Sequence, residues 1–226
     1  MRDMNVLEAG LKRLWFGLRP ELRRSRFHTQ KGDFALRTRR DAADCAVALA
    51  TALTRKAFGW RPVMPWFTLP AVRFLKARLT PAGRVFEWGS GMSTLWFERR
   101  CREVHSVESD PEWFRIVASR ARRAKVYRLQ GPAYVEKLTE FPPGYFDVIV
   151  VDGLERLSCY RLAVQRLRPG GILVVDNSDN DRTTGGDLFV IDQMLHNIGP
   201  EWQVHRFPGW GLGNSFVWET TVCLRR

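Results

Sequence analysis

The pattern of apolar and polar positions changes near residue 80. Before that point, apolar residues recur at helical spacing over residues 4–18, over residues 41–58, and from Pro65 or Thr68 to residue 79. After it, short apolar runs alternate with amphipathic stretches. The pattern predicts a helical N-terminal segment, residues 1–80, that caps an α/β domain formed by residues 81–226.

In the second part of the chain, the pattern predicts five strands separated by helices, followed by two further strands. Short strand-to-helix connections favour a Rossmann-like, doubly wound and mostly parallel sheet, and the last two strands are expected to pair antiparallel. Asp41 is expected to cap the helix that starts there. The strands are expected over residues 85–87, 104–109, 125–130, 146–151, 172–175, 202–207 and 215–224, and the helices of this part over residues 92–97, 110–122, 133–141, 156–167 and 187–198.

The stretch 84–97, with the sequence RVFEWGSGMSTLWF, carries the strongest local signal. Gly89 and Gly91 bracket Ser90 between the first strand and the following helix. Glycine lets the backbone come close to a bound molecule, and the free N–H groups at a helix start favour electron-rich atoms. A dinucleotide fingerprint requires a third glycine where Thr94 stands, which disfavours a nicotinamide site. A tight turn without a ligand is the alternative.

The order acidic-x-Gly-x-Gly, given by Glu87, Gly89 and Gly91, resembles the first motif of the class I S-adenosylmethionine-dependent methyltransferases. Glu108 ends the second strand 17 positions after Gly91, where the family uses an acid to bind both ribose hydroxyls. The Leu-Arg-Pro-Gly-Gly run at residues 167–171 is another frequent feature of the family. The resemblance implies S-adenosylmethionine-dependent methyl transfer.

The resemblance also implies where the cofactor binds. The adenine edge is expected after the third strand, although Pro132 stands where the family usually has an acidic or polar residue. The methyl group is expected beside Asp152, which ends the fourth strand. The expected cofactor-binding residues are Glu87, Gly89, Ser90, Gly91, Ser93, Glu108, Ser109, Gly131, Pro132, Ala133 and Asp152.

The methyl acceptor is expected to be an oxygen of a small molecule or a glycan. Base methylation is disfavoured, because residues 152–155 lack the Pro-Pro-aromatic sequence of amine methyltransferases and no Pro-Cys pair offers a nucleophile. Asp152 and Asp176 are the expected catalytic residues. With Asn177 they resemble the Mg²⁺ ligands of catechol-type O-methyltransferases, and such hard oxygen ligands suit that ion. Glu155 stands where those enzymes carry a lysine, and capping of the strand ends is the alternative role.

The C-terminal part of the chain is rich in aromatic residues. Residues 209–214 suggest a turn near the acceptor pocket, where aromatic faces would stack a sugar or a planar acceptor. Packing within the core and the strands is the alternative. The residues concerned are Trp202, Phe207, Trp210, Phe216 and Trp218.

The formal net charge of +12 is concentrated at the front of the chain. Residues 1–80 hold 17 Lys and Arg against 6 Asp and Glu, a net of +11, whereas residues 81–226 hold 19 against 18, a net of +1. We therefore expect any anionic partner to bind the N-terminal segment, and RNA ribose methylation guided by that segment is one alternative function, which is not favoured. The amphipathic stretch 4–18 suits peripheral membrane contact, so a non-catalytic membrane-binding or partner-binding module is another.

The remaining signals concern the compartment. The four cysteines are dispersed without a pattern typical of zinc sites or disulfide frameworks. No apolar run reaches the length of a membrane span, and the N-terminus lacks the apolar core of a signal peptide. We expect a cytoplasmic protein. The sequence leaves its oligomeric state open.

Overall fold

The computed structural model describes residues 25–181 and 184–226. The helix predicted over residues 4–18 lies outside the described residues. The strands are β1 (Arg84–Trp88), β2 (Glu103–Glu108), β3 (Lys125–Arg128), β4 (Val148–Val151), β5 (Ile172–Val175), β6 (Trp202–Gly209) and β7 (Trp218–Arg225). The helices are α1 (Arg39–Phe58), α2 (Leu69–Lys76), α3 (Met92–Glu98), α4 (Pro111–Ala118), α5 (Pro132–Glu136), α6 (Arg156–Arg166) and α7 (Asp187–His196), with a 3₁₀ turn at Lys137–Glu140.

All seven strands form one sheet in the order β3-β2-β1-β4-β5-β7-β6. The strands from β1 to β5 are parallel, while β7 runs antiparallel to both β5 and β6. The predicted doubly wound sheet with antiparallel C-terminal strands is therefore confirmed. The strand order reverses between β1 and β4, and an open sheet of this kind binds ligands beyond the carboxyl ends of the strands at that point.

Alternating side chains divide the core between the two faces of the sheet. On one face, Phe86, Ile149 and Leu173 pack with residues of α6 and α7. On the other face, Val85 and Val150 pack with residues of α2 and α3. Because successive strand residues point to opposite faces, a strand covered on both sides has to be apolar at nearly every position. This explains why β4 and β5 read as continuous apolar runs.

The start of α1 differs from the prediction. Thr38, rather than Asp41, is the capping residue, and its side chain accepts a hydrogen bond from the Asp41 amide. The Asp41 carboxylate in turn accepts from the Thr38 amide at 2.7 Å. Asp41 is thus the third residue of a reciprocal capping box, an arrangement that uses both side chains to satisfy free N–H groups.

Residues 25–36 join the far edge of the sheet through a buried ion cluster. The Lys31 ammonium lies 2.7 Å from a carboxylate oxygen of Asp192 in α7 and 2.7 Å from one of Glu219 in β7. Arg206 of β6 approaches the same two oxygens at 2.6 and 3.0 Å. The Asp192 and Glu219 side chains are 1% and 2% exposed. The two cations offset the desolvation penalty of burying these carboxylates.

No helix in residues 25–181 or 184–226 is long and apolar enough to cross a membrane.

We expect Asp192→Ala to lower the free energy of unfolding by about 3 kcal/mol, because it leaves two cations beside one carboxylate. The value lies at the low end for a broken buried ion pair, since Arg206 keeps part of its side chain in water. Urea unfolding of the full chain measures it. The matched control is Glu136→Ala, an exposed acid on α5, with an expected change below about 0.5 kcal/mol. Equal effects of the two substitutions would contradict a stabilising cluster.

Candidate active site

The turn after β1 closely approaches the turn after β4. Gly89 has a φ of +92°, and a Cβ there would lie 2.8 Å from the Asp152 carbonyl carbon. A Cβ on Gly153 would lie 2.8 Å from the Gly89 nitrogen and would collide with the Tyr134 hydroxyl. Both positions therefore require glycine, one for its backbone conformation and its contact, the other for its contact alone. The predicted glycine turn is thus built against the predicted Asp152-Gly153 turn.

Glu87 lies beneath the glycine turn. Its carboxylate accepts hydrogen bonds from Thr94 at 2.5 Å and from Ser106 of β2 at 3.0 Å. The Gly91 amide donates to the Thr94 hydroxyl at 2.9 Å, so Thr94 connects the turn to the acid. Burial raises the pKa of Glu87 to about 7, although these hydrogen bonds act in the opposite direction. Since Glu87 is fully buried and does not line the cavity described next, its role here is to support the turn.

A cavity of about 460 Å³ opens above the glycine turn. It brings together the predicted residues of the first, second and fourth strand ends. A neighbouring cavity of about 510 Å³ shares the Tyr134 wall and includes Gly131, whereas Pro132 and Ala133 line neither cavity. The predicted residues that line the first cavity are Gly89, Ser90, Gly91, Ser93, Glu108, Ser109 and Asp152.

Glu108 is held in place by the chain that follows it. One of its carboxylate oxygens accepts hydrogen bonds from the amides of Ser109 at 2.8 Å and Asp110 at 2.9 Å. Asp110 then caps α4 by accepting from the Trp113 amide. Burial raises the pKa of Glu108, while the backbone donors oppose that effect. The position on the cavity wall leaves this acid available to the hydroxyls of a bound ribose.

Two tryptophans on the cavity wall were missed by the sequence analysis. The Trp66 and Trp113 rings lie 5.8 Å apart, and the Trp113 indole N–H donates to the Ser90 carbonyl. The guanidinium groups of Arg55 and Arg61 lie over these rings, 4.7 Å from Trp66 and 5.3 Å from Trp113. The only sequence feature that indicates Trp66 is the Pro-Trp-Phe run at residues 65–67, and this run is equally typical of residues that pack in the core.

Arg156 fixes the floor of the cavity at the ends of β4 and β5. Its guanidinium donates to the carbonyls of Gly153 at 3.0 Å and Asp176 at 2.6 Å. It also donates to the Asp152 carbonyl and carboxylate, both at 3.1 Å. Burial raises the pKa of Asp152, and the Arg156 charge opposes that shift. Arg156 thus holds Asp152, the only predicted catalytic residue that lines the cavity, in one position.

Asp176 lies behind the cavity wall. One of its carboxylate oxygens accepts hydrogen bonds from the Trp218 indole at 3.0 Å and from the Thr220 hydroxyl, both on β7. Burial and the nearby Asp152 raise the pKa of Asp176 to about 8, against the effect of those donors. Asp176 is only 3% exposed and its carboxylate is hydrogen-bonded within the sheet. It therefore does not reach the cavity, contrary to the expected contact with substrate.

The expected Mg²⁺ set of Asp152, Asp176 and Asn177 does not fit the ion. The Arg156 guanidinium already neutralises Asp152, and β7 donors engage the Asp176 carboxylate. Asn177 adopts a left-handed backbone conformation, with a φ of +56°, in the turn after β5. The described residues contain no group of three or more His, Cys, Asp or Glu side chains that could hold a metal ion.

Trp210 and Trp218 take the packing role that the sequence offers beside the role of an acceptor wall. Trp210 is buried and donates from its indole to the Arg26 carbonyl, and Trp218 is buried against Asp176. A Cβ on Gly211 would collide with the Trp218 ring and the Phe67 carbonyl. Residues 209–214 therefore belong to the packing between residues 25–36, α2 and β7, and none of them lines either cavity.

Comparisons with known proteins agree with this geometry. Residues 86–178 match the family model of a methyltransferase domain. The chain is similar to TomG from Streptomyces achromogenes, an O-methyltransferase of tomaymycin synthesis solved with SAM, with a TM-score of 0.60 and 20% identity over 79% of this chain and 89% of that chain. It is also similar to an O-methyltransferase from Bacillus cereus solved with SAH, with a TM-score of 0.60 and 16% identity over 80% and 91% of the two chains.

A third similar structure is an rRNA methylase from Streptococcus thermophilus, with a TM-score of 0.54 and 12% identity over 68% of this chain and 92% of that chain. A search of the curated proteins found no match. At these identities the structural likeness establishes the fold, and it spans enzymes whose acceptors differ.

Residues 86–178 thus match a methyltransferase domain, and the fold is that of solved S-adenosylmethionine-dependent O-methyltransferases. The resemblance drawn from Glu87, Gly89 and Gly91 is thereby confirmed. The residues present also fit the cofactor. The Glu108 carboxylate, the glycine turn and an apolar Met92 wall meet around one cavity, next to a second cavity that reaches Gly131.

We expect Gly89→Ala to weaken binding of S-adenosylmethionine at least about tenfold and to destabilise the protein by about 1–3 kcal/mol beyond the cost of its φ angle, because the new methyl group overpacks the β4 turn. Calorimetry and thermal unfolding measure the two effects. Gly59→Ala is the control, since Gly59 has a φ of +64° with nothing within 4 Å of its Cβ position. Unchanged cofactor affinity in Gly89→Ala would contradict the assigned site.

We expect Glu87 to make stability depend on pH. Its pKa rises from 4.5 to about 7 on folding, so its contribution is fully present below pH 4.5 and is lost as the pH rises through 7. The difference in unfolding free energy between wild type and Glu87→Gln should therefore fall by about 3 kcal/mol from pH 4.5 to 7.5. Urea unfolding at a series of pH values measures it, and a constant difference would show that folding does not raise the pKa of Glu87.

Proposed function

We propose that this chain transfers the methyl group of S-adenosylmethionine to a hydroxyl oxygen of a small molecule or a glycan. The observation that carries the proposal is the cavity of about 460 Å³ that unites the glycine turn, Glu108, Asp152 and two tryptophans. Its volume lies in the range of small-molecule sites. The similar structures from Streptomyces achromogenes and Bacillus cereus are O-methyltransferases, which supports oxygen as the acceptor atom.

When bound, S-adenosylmethionine supplies an electrophilic methyl group on its sulfonium centre. Glu108 would accept hydrogen bonds from the ribose hydroxyls, and the turn at residues 89–91 would hold the part of the cofactor next to them. Trp66 and Trp113 would give the acceptor an aromatic wall. The protein thus contributes chiefly by aligning two bound molecules, which accounts for a large part of the rate of many enzymes.

Asp152 is the residue placed to accept the proton. Its carboxylate would take the proton of the acceptor hydroxyl, which would free that oxygen to receive the methyl group that the bound cofactor supplies. Burial raises the pKa of this carboxylate, which makes it a better base than an exposed one. Arg156 serves as a positioning residue, because it binds Asp152 and both neighbouring turns.

The test is methyl transfer from labelled S-adenosylmethionine to three acceptor sets: phenols and catechols, saccharides, and RNA. We expect transfer to a hydroxyl in the first or second set. Asp152→Asn should lower kcat about 10²- to 10⁴-fold with a much smaller change in cofactor affinity. A chelator should leave the rate unchanged, because the donor set does not fit Mg²⁺. Glu112→Gln, an exposed acid on α4, is the control.

Two results would contradict the proposal. Clear cofactor binding with transfer to RNA alone would move the acceptor to another class. Loss of activity in chelator, restored by Mg²⁺, would return the carboxylates to a metal role.

A further inference from the structure

The fold gathers arginines that the sequence keeps apart. Residues 99–102 and residues 120–123 each contain three arginines. The first run directly follows α3, and the second follows α4. The helix α3 connects β1 to β2, and α4 connects β2 to β3, and all three strands are parallel. Both arginine runs therefore lie at the end of the sheet where β2 and β3 begin. The near-neutral charge of residues 81–226 thus hides a local concentration of positive charge.

The two runs line two adjoining cavities, of about 460 and 650 Å³, that share Arg99 and Arg123. We name these cavities together the arginine groove. The cations that line it are Lys76, Arg99, Arg100, Arg120, Arg122 and Arg123.

Carboxylates neutralise little of this positive charge. Within the described residues, no carboxylate forms a salt bridge with any cation of the groove. Glu98 is the one acid in the lining, and one of its carboxylate oxygens accepts three backbone N–H groups, those of Arg122, Arg123 and Ala124, at 3.0 to 3.1 Å. Its hydrogen bonds therefore shape the second arginine run, and its charge acts on Arg123 without forming a salt bridge with it.

Several groove side chains are already ordered. The Arg100 guanidinium lies 4.3 Å from the Trp96 ring centroid and donates to the Trp96 carbonyl at 3.0 Å. Arg123 donates to the Glu98 carbonyl. Arg120 contacts the Met92 sulfur at 3.3 Å, and Met92 lines the cofactor cavity on its other side. The groove thus begins behind the wall of the candidate active site.

The chemistry of the groove suits phosphodiesters. Arginine presents a planar fork of donors that matches phosphate oxygens, and several forks without a carboxylate in salt-bridge distance, set side by side, match a chain of phosphates. A membrane surface would also attract the charge but would normally be met by exposed apolar side chains as well. The large exposed apolar side chains of the described residues all lie outside the groove and are Phe34, Val47, Leu53, Phe58, Trp60 and Leu154.

We propose that the arginine groove binds the phosphodiester backbone of a nucleic acid. This binding is independent of the proposed methyl acceptor. It also places the anionic partner on the catalytic domain, rather than on the N-terminal segment where the charge count alone put it.

The test uses the full chain and a fluorescent single-stranded RNA of mixed sequence, with DNA of the same sequence as a second probe. We expect the triple variant Arg99→Gln, Arg122→Gln, Arg123→Gln to bind RNA at least about tenfold more weakly than wild type. The slope of log affinity against log salt should fall by about 2, since each lost phosphate contact on a single strand removes about 0.7. S-adenosylmethionine affinity should stay unchanged, which separates this proposal from the proposed function.

The matched control removes the same charge elsewhere, through Arg39→Gln, Arg161→Gln and Arg226→Gln, all exposed and outside the groove. If the triple variant fails to fold, the double variant Arg99→Gln, Arg122→Gln replaces it, with Arg39→Gln, Arg161→Gln as its control, since within the described residues neither the Arg99 nor the Arg122 side chain forms a hydrogen bond, an ion pair or a ring contact. Equal loss in the control would show that binding follows net charge, and would overturn the proposal. So would binding of phosphatidylserine vesicles, but not of RNA or DNA, that depends on the same arginines.

Discussion

The close contact between Gly89 and Gly153 is the constraint on which the site depends. Neighbouring parallel strands lie about 4.8 Å apart, so the turns that leave β1 and β4 compete for one space. Removing the side chain from both turns solves the problem. Tyr134 then fills the remaining gap, because its hydroxyl accepts from the Leu154 amide while its carbonyl accepts from the Trp88 indole. One aromatic residue of α5 thereby ties both turns together and separates the two cavities.

Environment assigns different roles to four acids that all stand at or near strand ends. Glu87 is enclosed and supports the glycine turn, while Asp176 is enclosed and joins β5 to β7. Glu108 keeps its position on the wall through two backbone donors. Asp152 alone combines contact with the cavity and a cationic neighbour. The same functional group therefore serves as support, as proposed cofactor ligand or as proposed base according to what surrounds it.

The sequence predicts the sheet and its ligand edge well, because apolar runs and short connections depend on local chemistry alone. Glu108 could be found because its spacing from the glycine turn follows from that regular alternation. The role of Asp176 could not, since Trp218 and Thr220 reach it from an antiparallel neighbour more than forty residues away. Trp66 was equally hidden, because an aromatic residue in a proline-rich connector does not indicate which cavity it faces.

Helix ends were predicted less well, for a physical reason that α4 illustrates. Apolar periodicity suggests a helix to residue 122, yet α4 ends at Ala118. The Glu98 carboxylate accepts the amides of Arg122, Arg123 and Ala124, and so offers the chain hydrogen bonds outside a helix. A competing acceptor on another element leaves no trace in the local pattern. The same hydrogen bonds to Glu98 form the arginine groove, because they end α4 early and turn the second arginine run outward.

The ion cluster at Lys31 has a consequence for where the folding unit begins. The hydrophobic pattern changes near residue 80, but the charges of the folded chain do not respect that line: Asp192 and Glu219 take a cation from residue 31, and Asp179 accepts the Gln30 amide. A shortened chain starting at residue 81 would remove the Lys31 cation from Asp192 of α7 and Glu219 of β7, and the Gln30 amide from Asp179 in the turn after β5. Residues 25–36 are therefore a structural part of the folded domain that carries the candidate active site, since they neutralise acids buried within it.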